Sequence, residues 1–257
     1  MIAYFSATGN SLYVAQKLAA RLDDRLVSMA DSLKTGQTTY ALSDGESVGL
    51  VLPVYFYTVP LLVRQWMSRL RLMGKHKPFV FAVLTCGGQT GQAGRILTRL
   101  LLRERLDLQY LASVVLPDNY IPLLTVPEPE RQQHLFLAAD QALVTIAGQL
   151  KQKISGDHDT NKSALAPLLT AFAAPLYKNG RKTDPFYATD RCTNCGLCER
   201  ICPDNIIALP DGKPVWNAPY CTHCLACLHR CPVEAIQYGR RTVAKTRYVN
   251  PHVTWPV

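Results

Sequence analysis

Eight of the nine cysteines of the chain fall in two runs of identical spacing near its C-terminal end. Each run contains three cysteines at intervals of three residues and a fourth that is followed directly by proline. The proline fixes the direction of the chain just after the fourth cysteine and sets that cysteine apart from the tight loop before it. The runs are Cys192, Cys195, Cys198, Cys202 with Pro203, and Cys221, Cys224, Cys227, Cys231 with Pro232.

This C-x2-C-x2-C-x3-C-P spacing resembles the signature of bacterial two-cluster ferredoxins, in which the fourth cysteine of each run ligates the other cluster. The resemblance implies two [4Fe–4S] clusters in a small α+β ferredoxin-like domain. One cluster would be held by Cys192, Cys195, Cys198 and Cys231. The other would be held by Cys221, Cys224, Cys227 and Cys202.

Two other uses of cysteine compete with this interpretation. Four-cysteine zinc sites also contain C-x2-C pairs, but they do not account for a third cysteine at the same spacing and a Cys-Pro ending in both runs. A disulfide framework is typical of oxidising compartments, whereas the opening run Met1–Phe5 predicts a first strand and no secretory leader. We therefore expect a cytoplasmic iron–sulfur protein, with a non-redox metal-binding module as the lesser alternative.

Residues 1–153 alternate apolar runs with segments of helical periodicity, which predicts an α/β unit with a parallel sheet. The predicted strands are Ile2–Phe5, Leu26–Met29, Val48–Leu52, Phe79–Leu84 and Tyr110–Leu116. Helices are predicted over 12–22, Leu61–Leu72, Ala93–Leu106 and Arg131–Lys153.

The rest of the chain divides into three further parts. Residues 154–185 are predicted to be a connector, with a polar and mobile stretch at Ser155–Asn161 and a short helix over Ala164–Tyr177. Residues 186–239 form the two-cluster unit. The tail 240–257 has no clear periodicity, and the sequence assigns it no role.

A loop rich in hydroxyl groups, Ser6–Ser11, joins the first strand to the first helix. Backbone amides at a helix N-terminus suit an anionic phosphate, although a simply capped helix would look similar. The loop contains no lysine and does not match the G-x-x-x-x-G-K-[ST] pattern, so it is not a P-loop.

The whole N-terminal pattern resembles flavodoxin. Tyr4–Ser11, Pro53–Pro60 and Thr85–Gly88 stand where that family has its three FMN-binding loops. The resemblance implies a five-stranded parallel sheet of order 2-1-3-4-5 that binds FMN at its carboxyl edge. With the cysteine runs, the chain resembles the flavodoxin–ferredoxin fusion proteins of anaerobic bacteria and archaea.

Roles follow from the resemblance residue by residue. The phosphate would be held by Ser6, Thr8, Gly9, Asn10 and Ser11. The flavin ring would meet Pro53, Val54, Tyr55, Phe56 and Tyr57. The polar edge of the ring would face Thr85, Cys86, Gly87 and Gly88.

Four points stay open at this stage. Flavodoxins often have a glycine near the place of Phe56 or Tyr57, and the aromatic residues here either stack on the flavin or belong to the core. Cys86 is either a small apolar residue or a thiol that tunes the flavin. Asp118–Tyr120 either contacts the flavin or forms a turn. His223, inside the second cysteine run, is expected to affect a cluster without ligating it.

The formal charge of +9 is spread along the chain and is not interleaved with aromatic residues, so we expect no nucleic-acid partner. No apolar stretch approaches the ~18 residues of a membrane span. The expected partner is a redox protein or a small-molecule electron acceptor. The chain would then be either an FMN-dependent reductase fed by its clusters or a pure electron carrier between proteins.

Overall fold

The computed structural model describes residues 1–255. Its strands are β1 (Ile2–Tyr4), β2 (Leu26–Ser28), β3 (Thr39–Ala41), β4 (Val48–Pro53), β5 (Arg71–Met73), β6 (Val80–Cys86), β7 (Leu108–Val115), β8 (Gly156–His158), β9 (Phe186–Ala188), β10 (Ile207–Ala208), β11 (Val215–Trp216) and β12 (Ile236–Tyr238). Its helices are α1 (Asn10–Leu22), α2 (Met29–Thr35), α3 (Leu61–Arg69), α4 (Ala93–Arg103), α5 (Pro129–Lys151), α6 (Ala166–Gly180), α7 (Leu197–Ile201) and α8 (Ala226–His229), followed by a 3-10 turn at Arg240–Thr242.

The central sheet is parallel and has the order β2-β1-β4-β6-β7-β8. Its first five strands confirm the predicted order 2-1-3-4-5. The predicted number of strands is wrong by one, because β8 pairs in parallel with β7 and adds a sixth strand at the edge. The stretch Ser155–Asn161 therefore contains an edge strand, and we propose that the α/β unit extends past residue 153.

A buried carboxylate holds β8 in place. Asp159, only 5% exposed, accepts hydrogen bonds from the hydroxyls of Thr90 (2.6 Å) and Ser113 (2.5 Å). It also accepts one from the backbone N–H of Asn161 (3.0 Å). Since a buried charge must be paired or hydrogen-bonded, these contacts offset the cost of burying it and fix the polar segment against β7.

Alternate residues of each strand face opposite helical layers, as the two-residue period of a strand requires. Ala3, Leu50 and Ala82 contact the layer that contains α3 and α4. Ile2, Val51 and Val83 contact the layer formed by α1 and α5. Burial on both faces explains the nearly continuous apolar runs of β4 and β6.

The predicted helix Leu61–Leu72 ends early. The chain leaves the helical conformation at Leu70, and Arg71–Met73 becomes β5, which pairs in parallel with β3. This pair lies outside the main sheet.

The small C-terminal unit contains two antiparallel strand pairs, β9 with β12 and β10 with β11, and the short helices α7 and α8. Its core contains Ile121 of the α/β unit together with Phe186, Leu228 and Ile236. The units therefore share a packed interface.

The chain then turns back across the α/β unit. The backbone N–H of Asn250 donates to the carbonyl oxygen of Thr8 (2.7 Å), and Val253 and Trp255 pack beside the α1 and α5 layer. The last two residues of the predicted 240–257 tail lie outside the described residues. Within residues 1–255, no helix has the length and apolar character needed to cross a membrane.

Candidate functional site

A cavity of about 510 Å³ opens at the carboxyl edge of the central sheet. The loops predicted to bind FMN converge on it, since they follow β1, β4 and β6, which are neighbours in the sheet. Of the fourteen predicted cofactor-binding residues, all except Gly9 line the cavity. The fold therefore brings three loops that are distant in sequence to one site.

The loop after β1 has the chemistry that an anion needs. The hydroxyls of Ser11 and Thr85 lie 2.8 Å apart, and the hydroxyl of Thr8 accepts a hydrogen bond from the side-chain amide of Asn119 (2.7 Å). The first turn of α1 contains no acidic residue, so the positive end of the helix dipole is not neutralised. Hydroxyls and free helical N–H groups at this position fit the phosphate of FMN.

Gly9 lies behind this loop and not in the cavity wall. Its φ is +106°, and a Cβ atom added there would lie 2.7 Å from Cβ of Asn250 and 2.9 Å from Cγ2 of Val253. The glycine therefore permits close approach of the C-terminal tail to the phosphate loop. Its role in binding phosphate stays a prediction.

The side chain of Asn10 is engaged away from the predicted phosphate position. It donates to the carbonyl oxygen of Pro117 (2.9 Å), and its own oxygen accepts from the hydroxyl of Tyr248 (2.7 Å) and the side-chain amide of Asn250 (3.1 Å). The backbone N–H of Asn10 is the group that this leaves for an anion.

The second loop makes a tight turn with aromatic residues at its tip. Tyr55 and Thr58 exchange backbone hydrogen bonds of 3.0 and 2.9 Å, and Phe56 and Tyr57 between them have φ of +49° and +60°. Residues other than glycine disfavour this left-handed region, so the backbone is strained at the two positions that hold the aromatic rings.

Those rings belong to an aromatic wall on one side of the cavity. Phe56 stacks on Tyr177 with ring centroids 5.7 Å apart and meets the edge of Tyr120 at 5.0 Å. All three side chains line the cavity. The rings therefore face the cavity and can pack against a planar ring system bound there.

The third loop closes the site from the end of β6. Cys86 is 6% exposed, and burial raises the pKa of its thiol to about 12, so the thiol is neutral near pH 7. This environment favours the interpretation of Cys86 as a small apolar residue. Gly87 permits close approach of the next loop, because a Cβ added there would lie within 2.7 Å of Cβ of Asp118.

The two cysteine runs have matching backbone conformations. Left-handed residues occupy the same three places in each run. They are Asn194, Gly196 and Asn205, counted from Cys192, and His223, Leu225 and Glu234 at the same offsets from Cys221. Such turns direct backbone N–H groups inward: His223 donates to the sulfur of Cys221 (3.2 Å) and Ala235 to that of Cys231 (3.3 Å). Hydrogen bonds of this kind favour the thiolate form that binds iron.

The first predicted ligand group, here called the distal set, surrounds a small cleft at the surface. The cleft is lined by Cys192, Cys195 and Cys198 of the first run together with Cys231 of the second. Cys195 is exposed to solvent. The spatial grouping agrees with the crossed ligation that the sequence resemblance implies.

The second group, here called the proximal set, is more deeply buried. It comprises Cys221, Cys224, Cys227 and Cys202, and the charges of Cys202 and Cys221 help to raise the pKa of the Cys227 thiol, after the larger effect of burial. Within residues 1–255, no three His, Cys, Asp or Glu side chains are close enough to share one metal ion. In a [4Fe–4S] cluster each thiolate binds its own iron, which requires no such convergence.

The proximal set adjoins the cavity directly. Cys224, together with His223 and Leu225, lines the same cavity as the three flavin loops. Cys224 also packs against the core of the α/β unit. One wall of the predicted flavin site is therefore a wall of the proximal ligand loop.

Several residues that line the cavity were not predicted from the sequence. Tyr177 of α6 has a hydroxyl that donates to the carbonyl oxygen of Thr222 (2.9 Å) and accepts from the N–H of Leu61 (3.2 Å). Leu123 and Leu124 form part of the mouth. No motif marks these positions, because they reach the site through tertiary packing. Asp118–Tyr120, left open above, also lines the cavity.

A buried histidine connects the units. His229 of α8 donates from Nε2 to the carbonyl oxygen of Asn119 (2.8 Å) and accepts at Nδ1 from the N–H of Tyr248 (3.1 Å). Burial lowers the pKa of His229 to about 4, which agrees with a neutral ring that donates at one nitrogen and accepts at the other.

Comparison with known families divides the chain in the same way. Residues 1–113 match the family model described as a flavodoxin domain. Residues 191–236 match the one described as a 4Fe-4S dicluster domain.

Curated relatives match the C-terminal unit. The chain is 41% identical over 59 residues to a ferredoxin of Chlorobaculum thiosulfatiphilum, which covers 21% of this chain and 97% of that protein. It is 49% identical over 43 residues to Ferredoxin-1 of Rhodobacter capsulatus, covering 17% of this chain and 60% of that protein. Their likeness applies to about a fifth of the chain.

Solved structures match the N-terminal unit more distantly. A flavodoxin of Streptococcus pneumoniae TIGR4 aligns at 14% identity with a TM-score of 0.36, over 60% of this chain and 97% of that one. An FMN-dependent NADH-azoreductase of Bacillus anthracis aligns at 9% identity with a TM-score of 0.34, over 57% and 98%. The fold assignment accordingly rests on the strand order and the family match.

Proposed function

The chain belongs to the flavodoxin–ferredoxin fusion proteins, and from that premise we propose that it relays electrons internally between an external partner and its FMN. It is an iron–sulfur flavoprotein of electron transfer, with two [4Fe–4S] clusters and FMN as its cofactors. The relay order that we propose runs from the surface to the distal cluster, then to the proximal cluster, and then to FMN.

One observation carries this proposal: Cys224 lines the same cavity as the flavin loops. A cluster bound to Cys224 would therefore adjoin FMN with no intervening layer of protein. The exposure of Cys195 supports the distal set as the place where an external electron donor or acceptor approaches.

Clusters pass one electron at a time, whereas FMN exchanges one or two, so the pair can convert between the two kinds of transfer. The residues of the chain would position the clusters and FMN and exclude water from the cavity. Phe56, Tyr120 and Tyr177 cover one side of the cavity with aromatic surface, and the neutral Cys86 thiol adds no charge at the end of β6.

The proposed relay includes reduction of a small acceptor at the cavity mouth, next to the exposed side chains of Leu123 and Leu124. A small molecule can enter there, whereas a folded protein cannot. Pure electron carriage between two proteins is the competing outcome of the test.

The test is anaerobic rapid mixing of the holoprotein with a reduced ferredoxin, which is too large to enter the cavity. We expect the cluster absorbance to change before the flavin absorbance. In a Cys195→Ala variant we expect flavin reduction by the protein donor to slow strongly, while Lys75→Ala, an exposed position that lines neither the flavin cavity nor the distal cleft, behaves like the wild type. Equal flavin reduction in both variants would contradict the relay order.

A second mixing step distinguishes reductase from carrier. The reduced holoprotein is mixed with either a small acceptor or an oxidised protein acceptor, and flavin reoxidation is followed. Replacement of Leu123 and Leu124 by Trp is expected to slow reoxidation by the small acceptor alone. If reoxidation by the protein acceptor is faster and the substitutions change neither rate, the protein is a carrier.

A further inference from the structure

Helix α6 turns its apolar side towards solvent. Its inward face consists of Ala166, Thr170, Ala173 and Tyr177, all buried against the α/β unit. The outward face is a row of large apolar side chains at helical spacing. These are Leu165, Leu168, Phe172 and Leu176, which are 63%, 68%, 74% and 51% exposed.

This outward row, here called the α6 stripe, is unusual for exposed surface. Single exposed apolar residues are normal, but a contiguous row of four marks an interaction site in most proteins. Pro167, Ala171 and Pro175 are also exposed, and their side chains contain no polar atom. The stripe lies outside the flavin cavity, since Tyr177 is the one residue of α6 that lines it.

The charges around the stripe are mainly positive. From Thr160 to Thr183 the sequence contains no Asp or Glu. Lys178 and Lys182 are exposed at the C-terminal end of the helix. At its N-terminal end, Arg95 and Arg99 are exposed and line a groove together with Ala166 and Pro167. The same groove contains Asp157, which forms an ion pair with Lys162 (2.5 Å), and the buried Asp159, so its cations outnumber its carboxylates by one.

This charge distribution disfavours a second copy of the chain as the occupant. A two-fold dimer places the same patch on both subunits. Two stripes packed antiparallel would set Arg95 and Arg99 against Lys178 and Lys182 of the other copy, and two packed in parallel would set each pair against itself. Like charges brought together in this way oppose association.

We infer that the α6 stripe docks on the surface of a lipid bilayer that contains anionic phospholipids. An apolar helix face with basic residues beside it lies in the interface plane, with its side chains in the boundary between headgroups and acyl chains. The flanking cations are attracted by anionic headgroups. Because Tyr177 on the opposite face lines the cavity, docking would leave only the width of one helix, about 10 Å, between the bilayer and the flavin site.

The test is co-sedimentation of the holoprotein with vesicles of phosphatidylcholine, with and without about 30% phosphatidylglycerol. We expect partitioning into the anionic vesicles to exceed that into neutral ones by roughly tenfold or more. Replacing Leu168, Phe172 and Leu176 together by Ser is expected to abolish binding. Lys178→Gln with Lys182→Gln is expected to weaken binding to anionic vesicles by about tenfold and to leave binding to neutral ones unchanged.

Matched variants control for general effects of surface polarity and charge. Leu137→Ser with Val144→Ser removes two exposed apolar residues of α5, and Lys75→Gln with Lys77→Gln removes two exposed cations elsewhere. Both should bind like the wild type.

The inference fails if these controls lose binding equally, or if the wild type does not bind anionic vesicles. It also fails if the triple variant changes only the mass in solution measured by sedimentation, since the stripe would then join two copies of the chain. This test is independent of the proposed relay, because it uses no electron-transfer readout.

Discussion

Cys202 belongs to the first cysteine run in sequence but lies with the cysteines of the second run in space. Its charge acts on Cys221 and Cys227, whereas Cys231 lines the cleft of the first run. We expect Cys202→Ala to lose the proximal cluster and retain the distal one. Iron analysis and electron paramagnetic resonance of the reduced protein should show about four iron atoms in place of about eight.

The leftover cysteine provides the control for that experiment. Cys86 is buried at the end of β6 and belongs to neither predicted ligand set. Cys86→Ala should therefore retain the full iron content. Retention of both clusters in Cys202→Ala, or loss of the distal one in its place, would show that ligation is not crossed.

Gly9 combines a left-handed backbone with close contact to the tail. Gly9→Ala should lower the free energy of unfolding by at least about 2 kcal/mol, because the new Cβ both strains the backbone and collides with Asn250. Thermal unfolding followed by circular dichroism measures the change. Gly148→Ala in α5 is the control, and it should be neutral or stabilising, because nothing lies within 4 Å of the added Cβ. Equal effects in both variants would exclude the tail contact as the cause.

Single residues also show where prediction from the sequence fails. The positions of Ser6–Ser11 and Thr85–Gly88 in the cavity follow from the order of strands and loops, which apolar periodicity reveals. The engagement of Asn10 by Tyr248 does not, since more than two hundred residues separate them. A local pattern contains no information about a contact between a loop and a tail that are so far apart in sequence.

Strand β8 is the element that the sequence concealed. The other strands of the central sheet that were predicted are apolar, whereas β8 reads Gly156-Asp157-His158. It is held by the buried carboxylate of Asp159 more than by apolar burial. Apolar periodicity detects strands that bury side chains on a face, and so it passes over an edge strand held by polar contacts.

Asp159→Ala tests this account of the edge strand. The change leaves the hydroxyls of Thr90 and Ser113 without their acceptor, and we expect it to cost about 3 kcal/mol of unfolding free energy. The midpoint of thermal unfolding should fall by roughly 6–12 °C. Lys162→Ala, which removes the exposed ion pair with Asp157, should change the free energy by less than about 1 kcal/mol. A similar loss in both variants would show that β8 is not held mainly by Asp159.

At the scale of the whole molecule, one hydrogen-bonded connection links the cluster unit to the phosphate loop. His229 binds the carbonyl of Asn119, and the side chain of Asn119 donates to Thr8 in that loop. His229 also accepts from Tyr248, whose hydroxyl reaches Asn10. The helix α8 that contains Cys227 is therefore joined to the phosphate loop at Thr8 and at Asn10, and order in one unit supports order in the other.

This connection predicts that the proximal cluster and FMN bind cooperatively. In Cys202→Ala, whose changed side chain does not line the cavity, we expect the Kd for FMN, measured by fluorescence quenching, to rise by about 5–150-fold, the usual range of such coupling. By linkage, removal of FMN should weaken retention of the proximal cluster by the same factor. Cys192→Ala is the control: it should lose the distal cluster, whose ligands lie outside the cavity wall, with little change in FMN affinity. Equal FMN affinity in the wild type and Cys202→Ala would mean that the hydrogen bonds through His229 join the two units without coupling their cofactors.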